Sequence, residues 1–285
     1  MDNDSQKKLS LPATPGARKP HRWISRSWYL LAFPLILFIA IPLLAMFLRL
    51  SPNDFWQSLR QDQVLTAIRI SLFTSISTVG ISLLLGTPVA YLLSRRRSRL
   101  TRIIDTLIDL PIVLPPAVAG VALLLAFGRR GILGIWLASL GITLPFTTAA
   151  VIMAQTFIAA PLYIKAATLG FDAVDCELRK AAALDGANRW QTFRYVMFPM
   201  ARASILSGSL MTWARAMGEF GATIIFAGNF PGRTQTMPLA IYIGFEIDMN
   251  VALTLSVILI SFAFLTLILV KGFLHKKVET GMEEY

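Results

Sequence analysis

Long apolar runs separated by short polar segments dominate this chain. Six of the runs have about the 20 residues that a helix needs to cross the hydrocarbon core of a bilayer. The predicted spans are residues 28–48, 70–93, 110–127, 142–164, 203–227 and 251–270. The pattern therefore predicts an all-α integral membrane protein with six transmembrane helices.

The two ends of the chain are polar. Residues 1–27 combine basic side chains with proline, serine and threonine, which is typical of a flexible tail. Residues 273–285 form a second short tail, so the membrane domain is predicted to cover residues 28–272. The first span is longer than the core of a signal peptide, and no clear small-residue cleavage site follows it. We therefore favour a retained first span over a cleaved signal peptide.

The basic residues are distributed unevenly between the two sides that six spans define. Of the 27 lysine and arginine residues, 20 fall on the side of both termini and six on the opposite side, while Arg215 lies within the fifth span. Because cytoplasmic loops are enriched in basic residues, we expect cytoplasmic termini and a multi-pass protein of the plasma (inner) membrane. Membrane topology then explains the formal charge of +11, and nucleic acid is not expected as a partner.

The composition also narrows the chemistry. Hydrophobic residues make up 55% of the chain, which is typical of membrane proteins. Cys176 is the only cysteine and the two histidines lie outside the spans, so the sequence predicts no disulfide and no metal site. No nucleophile with a base partner stands out, and the phosphate-binding pattern G-x-x-x-x-G-K-[ST] is absent. We expect the chain to bind no cofactor and not to be an enzyme by itself.

Prolines interrupt the third predicted span. Pro111, Pro115 and Pro116 remove backbone hydrogen bonds, so the helix is expected to bend or break. Two interpretations remain open, a simple bend and a broken helix that lines a transport route. Asp105 and Asp109 precede the break and are expected to be solvated at its cytoplasmic entrance.

Arg129 and Arg130 lie in the predicted outer loop 128–141, against the general distribution of positive charge. They can attract an anion or meet a partner protein. We favour the simpler interpretation that they are two solvated charges.

The longest polar interruption in the C-terminal two-thirds of the chain is the segment 177–199, ELRKAAALDGANRWQTFRYVMFP. Its alanines favour a first helix, and Gly186 suits the helix end, where a left-handed conformation costs glycine little. Asn188 can cap a second helix, with Gln191 at the reciprocal position of a capping box. Aromatic and apolar residues then follow at helical spacing until Pro199. The pattern predicts a helix–turn–helix that docks onto a partner, with an amphipathic linker on the lipid surface as the alternative.

This segment resembles the EAA loop of ABC importer membrane subunits. The family pattern has two alanines, three residues, glycine, nine residues, a hydrophobic residue, one residue, and a hydrophobic residue followed by proline. These positions are filled by Ala181, Ala182, Gly186, Val196, Phe198 and Pro199, and Asp185-Gly186-Ala187 matches a common form of the motif. Lys180 stands where the family usually has Glu, and Glu177 can supply the acidic charge one turn earlier. The resemblance implies ATPase-coupling roles for Glu177, Ala181, Ala182, Asp185, Gly186, Ala187 and Pro199.

A second group of polar residues falls at the end of the fifth predicted span. Arg215 and Glu219 are four residues apart, so they share a helix face and can pair. Ionisable groups within a span are costly, and this pair is either structural or faces the transport route. Gly218 and Gly221 permit a close helix approach or a kink.

The predicted outer loop 229–236 is rich in hydrogen-bond donors and turn residues. Asn229, Arg233 and Thr234 can contact an oxyanion or a protein that delivers one. Alternatively, they belong to a tight surface turn.

This part of the chain, residues 215–242, closely resembles the membrane subunit of molybdate importers, and more loosely that of sulfate importers. The matching residues are 218–223 (GEFGAT), 228–229 (GN), 231–232 (PG), 234–236 (TQT) and 238–242 (PLAIY). With the EAA-like loop and the six spans, the resemblance covers about residues 28–272. It implies a type I-like ABC importer permease fold and a dimer with a second copy of the chain. It also implies two cytoplasmic ATP-binding subunits that hold ATP and Mg, and an external oxyanion-binding protein.

Together these features predict the permease subunit of an ATP-driven importer for a tetrahedral oxyanion. Molybdate is favoured, while tungstate and sulfate remain open. The alternative is a self-sufficient secondary anion transporter or channel, which needs no ATPase dock. We further expect the fifth span to line the dimer interface, with Arg215 and Glu219 acting as a pair near the gate.

Overall fold

The computed structural model describes residues 22–95 and 98–282, and the side chains of 28–95 and 98–272. Most of the predicted N-terminal tail, with Arg96 and Arg97, therefore lies outside the described residues. The chain divides into two compact units, residues 1–48 and 49–285. The described residues form helices and no strand, which confirms the all-α class.

The first unit contains most of α1 (Arg22–Arg49). All other elements belong to the second unit. They are α2 (Pro52–Leu59), α3 (Asp62–Arg95), α4 (Arg99–Val113), α5 (Pro116–Phe127), α6 (Gly134–Ser139), α7 (Thr148–Asp172), α8 (Cys176–Leu184), α9 (Arg189–Thr192), a π-helical turn (Phe193–Met197), α10 (Phe198–Met217), α11 (Gly221–Phe226), α12 (Met237–Ile247) and α13 (Met249–Met282).

Four of the described helices are long and apolar enough to cross a membrane. They are Trp28–Arg49 within α1, the whole of α3 and α7, and Met249–Gly272 within α13. The bent pair of α4 and α5 counts as a fifth crossing if it forms one span. The structure therefore supports a multi-pass membrane protein with four or five such helices in its described part, and the predicted six spans only in part.

Two predicted spans differ from the observed helices. The fourth was expected at residues 142–164, but α7 begins at Thr148, where the Thr147 hydroxyl accepts a hydrogen bond from the Ala150 N–H at 3.2 Å. The fifth was expected at 203–227, but α10 ends at Met217 and α11 begins only at Gly221. The break falls between Gly218 and Gly221, the two glycines at which the sequence allowed a close helix approach or a kink.

Helical structure also occurs in two regions where the sequence pattern indicated none. Helix α12 lies between the fifth and sixth predicted spans, and the N–H of Met237 at its start donates to the Ser71 hydroxyl at 2.7 Å. Helix α13 continues to Met282, into the segment that was predicted to be a C-terminal tail.

The third predicted span is broken at its prolines, which was one of the two outcomes that the sequence left open. Helix α4 ends at Val113, Leu114 and Pro115 have extended backbone, and Pro116 is the first residue of α5. A proline suits this position because the first N–H of a helix has no intrahelical acceptor. The two helices are bent by 118° relative to each other.

Small residues bring α3, α7 and α10 close together. A Cβ atom on Gly86 of α3 would lie 2.8 Å from Cδ1 of Tyr163 on α7. A Cβ atom on Gly208 of α10 would lie 2.7 Å from the Cβ of Ala166 on α7. Such close contact is typical of helices that associate within a membrane.

Several buried polar side chains in this three-helix core are bonded within the protein. The Thr78 hydroxyl donates to Oε1 of Gln155 at 3.3 Å, and the Thr212 hydroxyl donates to the carbonyl of Ala159 at 3.2 Å. This is the arrangement that a region without water requires. The core thereby fixes α10, which has the EAA-like segment at one end and the Arg215–Glu219 pair at the other.

Candidate functional site

The EAA-like segment consists of α8, a turn, α9 and the π-helical turn. The N–H of Ala187 donates to the carbonyl of Ala182 at 2.9 Å, and that of Gly186 to the carbonyl of Ala183 at 3.1 Å. This pair of hydrogen bonds is the Schellman motif, which needs a left-handed residue after the helix. Gly186 has φ +83°, so its predicted role at the helix end is confirmed.

The predicted cap of the second helix is also confirmed. The Asn188 side chain accepts from the N–H of Gln191 at 2.9 Å, and the Gln191 side chain accepts from the N–H of Asn188 at 2.8 Å. These bonds satisfy two of the N–H groups that every helix start leaves without an intrahelical acceptor. The residues after Asn188 are helical as predicted, but Phe193–Met197 form a π-helical turn between α9 and α10.

Helix α8 projects from the second unit, since it contains no buried residue. Leu184 at its end is 88% exposed. Most of the residues predicted to couple to an ATPase lie on this projection or in the turn after it, where Glu177, Ala181, Asp185 and Gly186 are exposed and Ala182 and Ala187 are half-buried. Pro199 is also exposed but lies at the start of α10. A projecting helix with an exposed leucine and small alanines is suited to insertion into a groove of another protein.

The base of the projection is held firmly. Thr192 and Met197 are buried, and the ring of Phe193 packs edge-on against Tyr91 of α3 with a centroid distance of 5.0 Å. Phe193 also contacts Phe171 of α7 at 5.9 Å. Phe193 therefore joins the segment that follows α8 to α3 and α7 through packed aromatic rings.

The Arg215–Glu219 pair forms at the far end of α10. Nη1 of Arg215 donates to Oε2 of Glu219 at 2.7 Å, and Oε1 of Glu219 accepts from the N–H of Ala222 at 2.9 Å. Glu219 is 1% exposed, whereas the Arg215 side chain is 35% exposed. Both carboxylate oxygens are therefore bonded inside the protein, and Arg215 is the more exposed member of the pair.

The two glycines near this pair play different structural parts. Gly218 ends α10, and a Cβ atom there would meet nothing closer than the Ala214 carbonyl at 3.7 Å. A Cβ atom on Gly221 would lie 2.8 Å from the Cβ of Pro116 at the start of α5. Gly221 thus permits the close approach of α11 to the broken third span, while Gly218 marks the end of a helix.

Gly120 completes this contact from the side of α5. A Cβ atom on it would lie 2.7 Å from the Cβ of Ile225 and 2.9 Å from the carbonyl oxygen of Ala222. Sequence reasoning missed this residue, because a single glycine in an apolar run carries no pattern of its own. The α10–α11 corner and the break between α4 and α5 therefore form one tightly packed region.

The outer loop folds back on itself. The Thr234 hydroxyl is fully buried, accepts from the N–H of Phe230 at 3.0 Å and donates to the carbonyl of Gly228 at 3.3 Å. Asn229 is half-buried and donates to the carbonyl of Leu239 at 3.4 Å. Of the three predicted contact residues only Arg233 has an exposed side chain, so the tight-turn interpretation fits Thr234 and Asn229.

Asp105 and Asp109 are not simply solvated as the sequence suggested. Nζ of Lys165 on α7 lies 2.6 Å from Oδ1 of Asp105 and 2.9 Å from Oδ2 of Asp109. The two aspartates are four residues apart on α4 and face the same way, which was the only signal in the sequence that they share a partner. The cluster joins α4 to α7 beside the break in the third span.

Two further predictions concern charges and metals. Arg129 and Arg130 are exposed, and neither forms an ion pair with the described side chains of residues 28–95 and 98–272, as expected for solvated charges. No group of three or more His, Cys, Asp or Glu side chains suited to a metal occurs in the described part of the chain.

Comparison with known proteins gives consistent results. Residues 82–283 match the family model described as "Binding-protein-dependent transport system inner membrane component". The chain is 37% identical over 244 residues to the probable transport system permease protein NifC of Clostridium pasteurianum, covering 85% of each protein. It is 38% identical over 247 residues to the molybdenum transport system permease protein ModB of Mycobacterium bovis, covering 87% of this chain and 92% of the relative.

The fold resembles that of a solved transporter. One chain of a bacterial alginate ABC transporter, crystallised with an alginate pentasaccharide-bound periplasmic protein, superposes with a TM-score of 0.67. The superposition covers 90% of this chain and 96% of that one, at 15% sequence identity. This likeness supports the fold alone.

Proposed function

The chain belongs to the family of inner membrane components of binding-protein-dependent transport systems, and from this premise we propose that it is the permease subunit of an ATP-driven importer of molybdate. The assignment of molybdate as the substrate rests on the 38% identity, over 87% of the chain, to a permease named for molybdenum transport. Tungstate and sulfate are tetrahedral dianions of similar shape, and they are the competing substrates within the same proposal.

The projecting helix α8 supports coupling to separate ATPase subunits. The sequence has no G-x-x-x-x-G-K-[ST] loop for nucleotide phosphates, so ATP and Mg would bind to partner chains. Glu177, Ala181, Ala182 and the Asp185-Gly186-Ala187 turn would enter a groove on each ATPase. We propose two such subunits for two copies of this chain.

The proposed layout has six spans in residues 28–272, with polar tails in the cytoplasm. Helix α10 would be the remaining span, since its 20 residues are about 30 Å long, the thickness of the hydrocarbon core. A dianion cannot cross hydrocarbon without donors or positive charge around it. We propose that the route lies between two copies, with the exposed part of Arg215 facing it and Glu219 holding Arg215 in place.

An external oxyanion-binding protein would deliver the substrate. The solved alginate transporter contains a periplasmic protein with its ligand, which is a partner of this kind. The exposed side chain of Arg233 in the outer loop is the proposed contact for the binding protein or its anion.

The topology can be tested by cysteine labelling in a Cys176→Ser background. Arg99→Cys and Arg233→Cys place single thiols at exposed positions that the proposal assigns to opposite sides. A membrane-impermeant reagent should label Arg233→Cys from outside intact cells and Arg99→Cys only after the membrane is opened. Labelling of both from the same side would contradict the layout.

The function is tested by ATP hydrolysis and uptake in proteoliposomes that contain this chain, its ATPase and its binding protein. We expect molybdate to stimulate hydrolysis and to accumulate inside only when ATP is present. Greater stimulation by sulfate or tungstate would reassign the substrate but keep the importer. Uptake that follows an ion gradient without ATP would instead establish the alternative, a secondary transporter or channel.

A further inference from the structure

An apolar groove of about 710 Å³ lies between the second half of α3 and the α9–α10 segment. Its wall on α3 includes Leu84, Pro88 and Leu92, and its opposite wall includes Trp190 and Phe198. The volume is within the range of about 300–1,000 Å³ that is usual for sites of small molecules. Most of these side chains are exposed, Trp190 by 68%, so the groove is open.

Two arginines border this apolar groove. They are Arg95, the last residue of α3, and Arg189, the first residue of α9. Arg95 stacks on the Tyr91 ring at 5.2 Å and donates to its hydroxyl at 2.5 Å, which fixes the guanidinium at the mouth of the groove. Neither arginine forms an ion pair with a carboxylate in the part of the chain that the structure describes. The groove thus combines an apolar wall with two positive charges that no described carboxylate neutralises.

The position of the groove identifies the environment of its ligand. Helix α3 is one of the helices that can cross the membrane, and Arg95 is its last residue. The apolar run of α3 ends at Leu93, just before Arg95, which is the order of residues expected where hydrocarbon gives way to lipid headgroups. Trp190 and Tyr91 are aromatic residues of the kind enriched at such a boundary. Basic pockets between membrane helices are suited to anionic headgroups.

We infer that this groove binds one anionic phospholipid. Its phosphate lies between Arg95 and Arg189, and an acyl chain runs along Leu84, Pro88 and Leu92 towards the middle of the membrane. A free inorganic anion fits less well, because it has no apolar part to cover these side chains. The site is separate from the proposed transport route, and it joins the end of α3 to the segment that precedes α10.

The test measures retention of lipid by the full-length chain in its transporter complex. The complex is placed in nanodiscs of phosphatidylglycerol and phosphatidylcholine in equal amounts, extracted into mild detergent, and analysed by native mass spectrometry. We expect one phosphatidylglycerol per chain to be retained. Because each basic side chain contributes about a five-fold preference near an anionic lipid, Arg95→Gln with Arg189→Gln should lower retention about 25-fold.

A matched control carries Arg129→Gln and Arg130→Gln, which remove the same charge from exposed positions away from the groove. This control should retain phosphatidylglycerol as the wild type does. The single variant Arg189→Gln keeps the test valid if substitution of Arg95 disturbs α3. Its retention of phosphatidylglycerol should be about five-fold lower than that of the wild type.

Three results would overturn the inference. Equal retention of phosphatidylglycerol by the wild type and the double variant would show that the arginines do not hold a headgroup. Equal retention of phosphatidylcholine and phosphatidylglycerol would show that charge is not recognised. A change of oligomeric state in the double variant without a change in lipid retention would show that a second copy of the chain covers the groove.

Discussion

Removal of the Glu219 carboxylate is the sharpest test of how the end of α10 is held. Glu219→Ala deletes the acceptor for the Ala222 N–H and leaves Arg215 without its partner. Breaking a buried ion pair from one side costs about 3–5 kcal/mol, and the partial exposure of Arg215 places the expected loss near the lower end, about 3 kcal/mol. Glu219→Gln keeps an oxygen for the Ala222 N–H but removes the charge, so its expected loss is about 1–2 kcal/mol.

The measurement is the free energy of unfolding in mixed detergent micelles, followed by far-ultraviolet circular dichroism. Glu246→Ala is the matched control, because Glu246 is exposed and pairs with no basic residue in the described part of the chain; its effect should stay within about 0.5 kcal/mol. If Glu219→Ala is as stable as the wild type, the carboxylate does not hold this corner. If Glu219→Ala and Glu219→Gln lower the unfolding free energy by the same amount, the hydrogen bond from the Ala222 N–H contributes nothing to stability.

Three further predictions follow from local geometry. Gly186→Leu forces a side chain into a left-handed conformation at a cost of about 1–2 kcal/mol, so it should lower ATP-driven uptake without lowering the amount of protein in the membrane, whereas Gly186→Asn should retain more uptake. Normal uptake by Gly186→Leu would show that this turn does not couple the ATPase. Gly120→Ala should lower the unfolding free energy by about 1–3 kcal/mol, because its Cβ meets Ile225. Gly80→Ala, whose Cβ has no atom within 4 Å, should be neutral or slightly stabilising in the same unfolding assay. Equal effects of the two variants would refute the close contact at Gly120. Lys165→Met should lower the unfolding free energy by about 1 kcal/mol or less, since Lys165, Asp105 and Asp109 are all partly exposed. Asp105→Asn should lower it by less, because Asp109 still pairs with Lys165. A larger loss of unfolding free energy in Asp105→Asn than in Lys165→Met would contradict a shared cluster.

Local signals in the sequence were sufficient for the elements that depend on local chemistry. The left-handed Gly186, the capping box of Asn188 and Gln191, and the break at Pro115 all follow from residues within a few positions of one another. The all-α class follows from the apolar runs. These features need no knowledge of the rest of the fold, so the sequence predicts them correctly.

The errors arise where distant segments meet. Gly221 of α11 lies against Pro116 of α5, and this contact between the α10–α11 corner and the broken third span could not be found from spacing. Lys165 is 60 residues from Asp105, so its pairing with both aspartates could not be found from spacing.

The hydrogen bond from the Ala222 N–H to Glu219 decides which substitution of the Arg215–Glu219 pair is informative. Exchanging Arg215 and Glu219 restores opposite charges, but an arginine at position 219 cannot accept the hydrogen bond from the Ala222 N–H. The exchanged protein should therefore remain about 1–3 kcal/mol less stable than the wild type. Loss of transport in the exchange would not by itself assign the pair to the route, and the Gln variant at position 219 is the more informative change.

The π-helical turn at Phe193–Met197 alters the angular relation between the EAA-like segment and α10. The N–H of Phe198 donates to the carbonyl of Phe193, five residues earlier, so this turn holds one residue more than an α-helical turn. One residue corresponds to about 100° of rotation in an α-helix. A helical wheel drawn as one regular α-helix from Trp190 to Arg215 therefore misplaces the Trp190 side chain by about 100° relative to Arg215. An alignment with a relative whose helix is regular here needs a one-residue gap between positions 193 and 197.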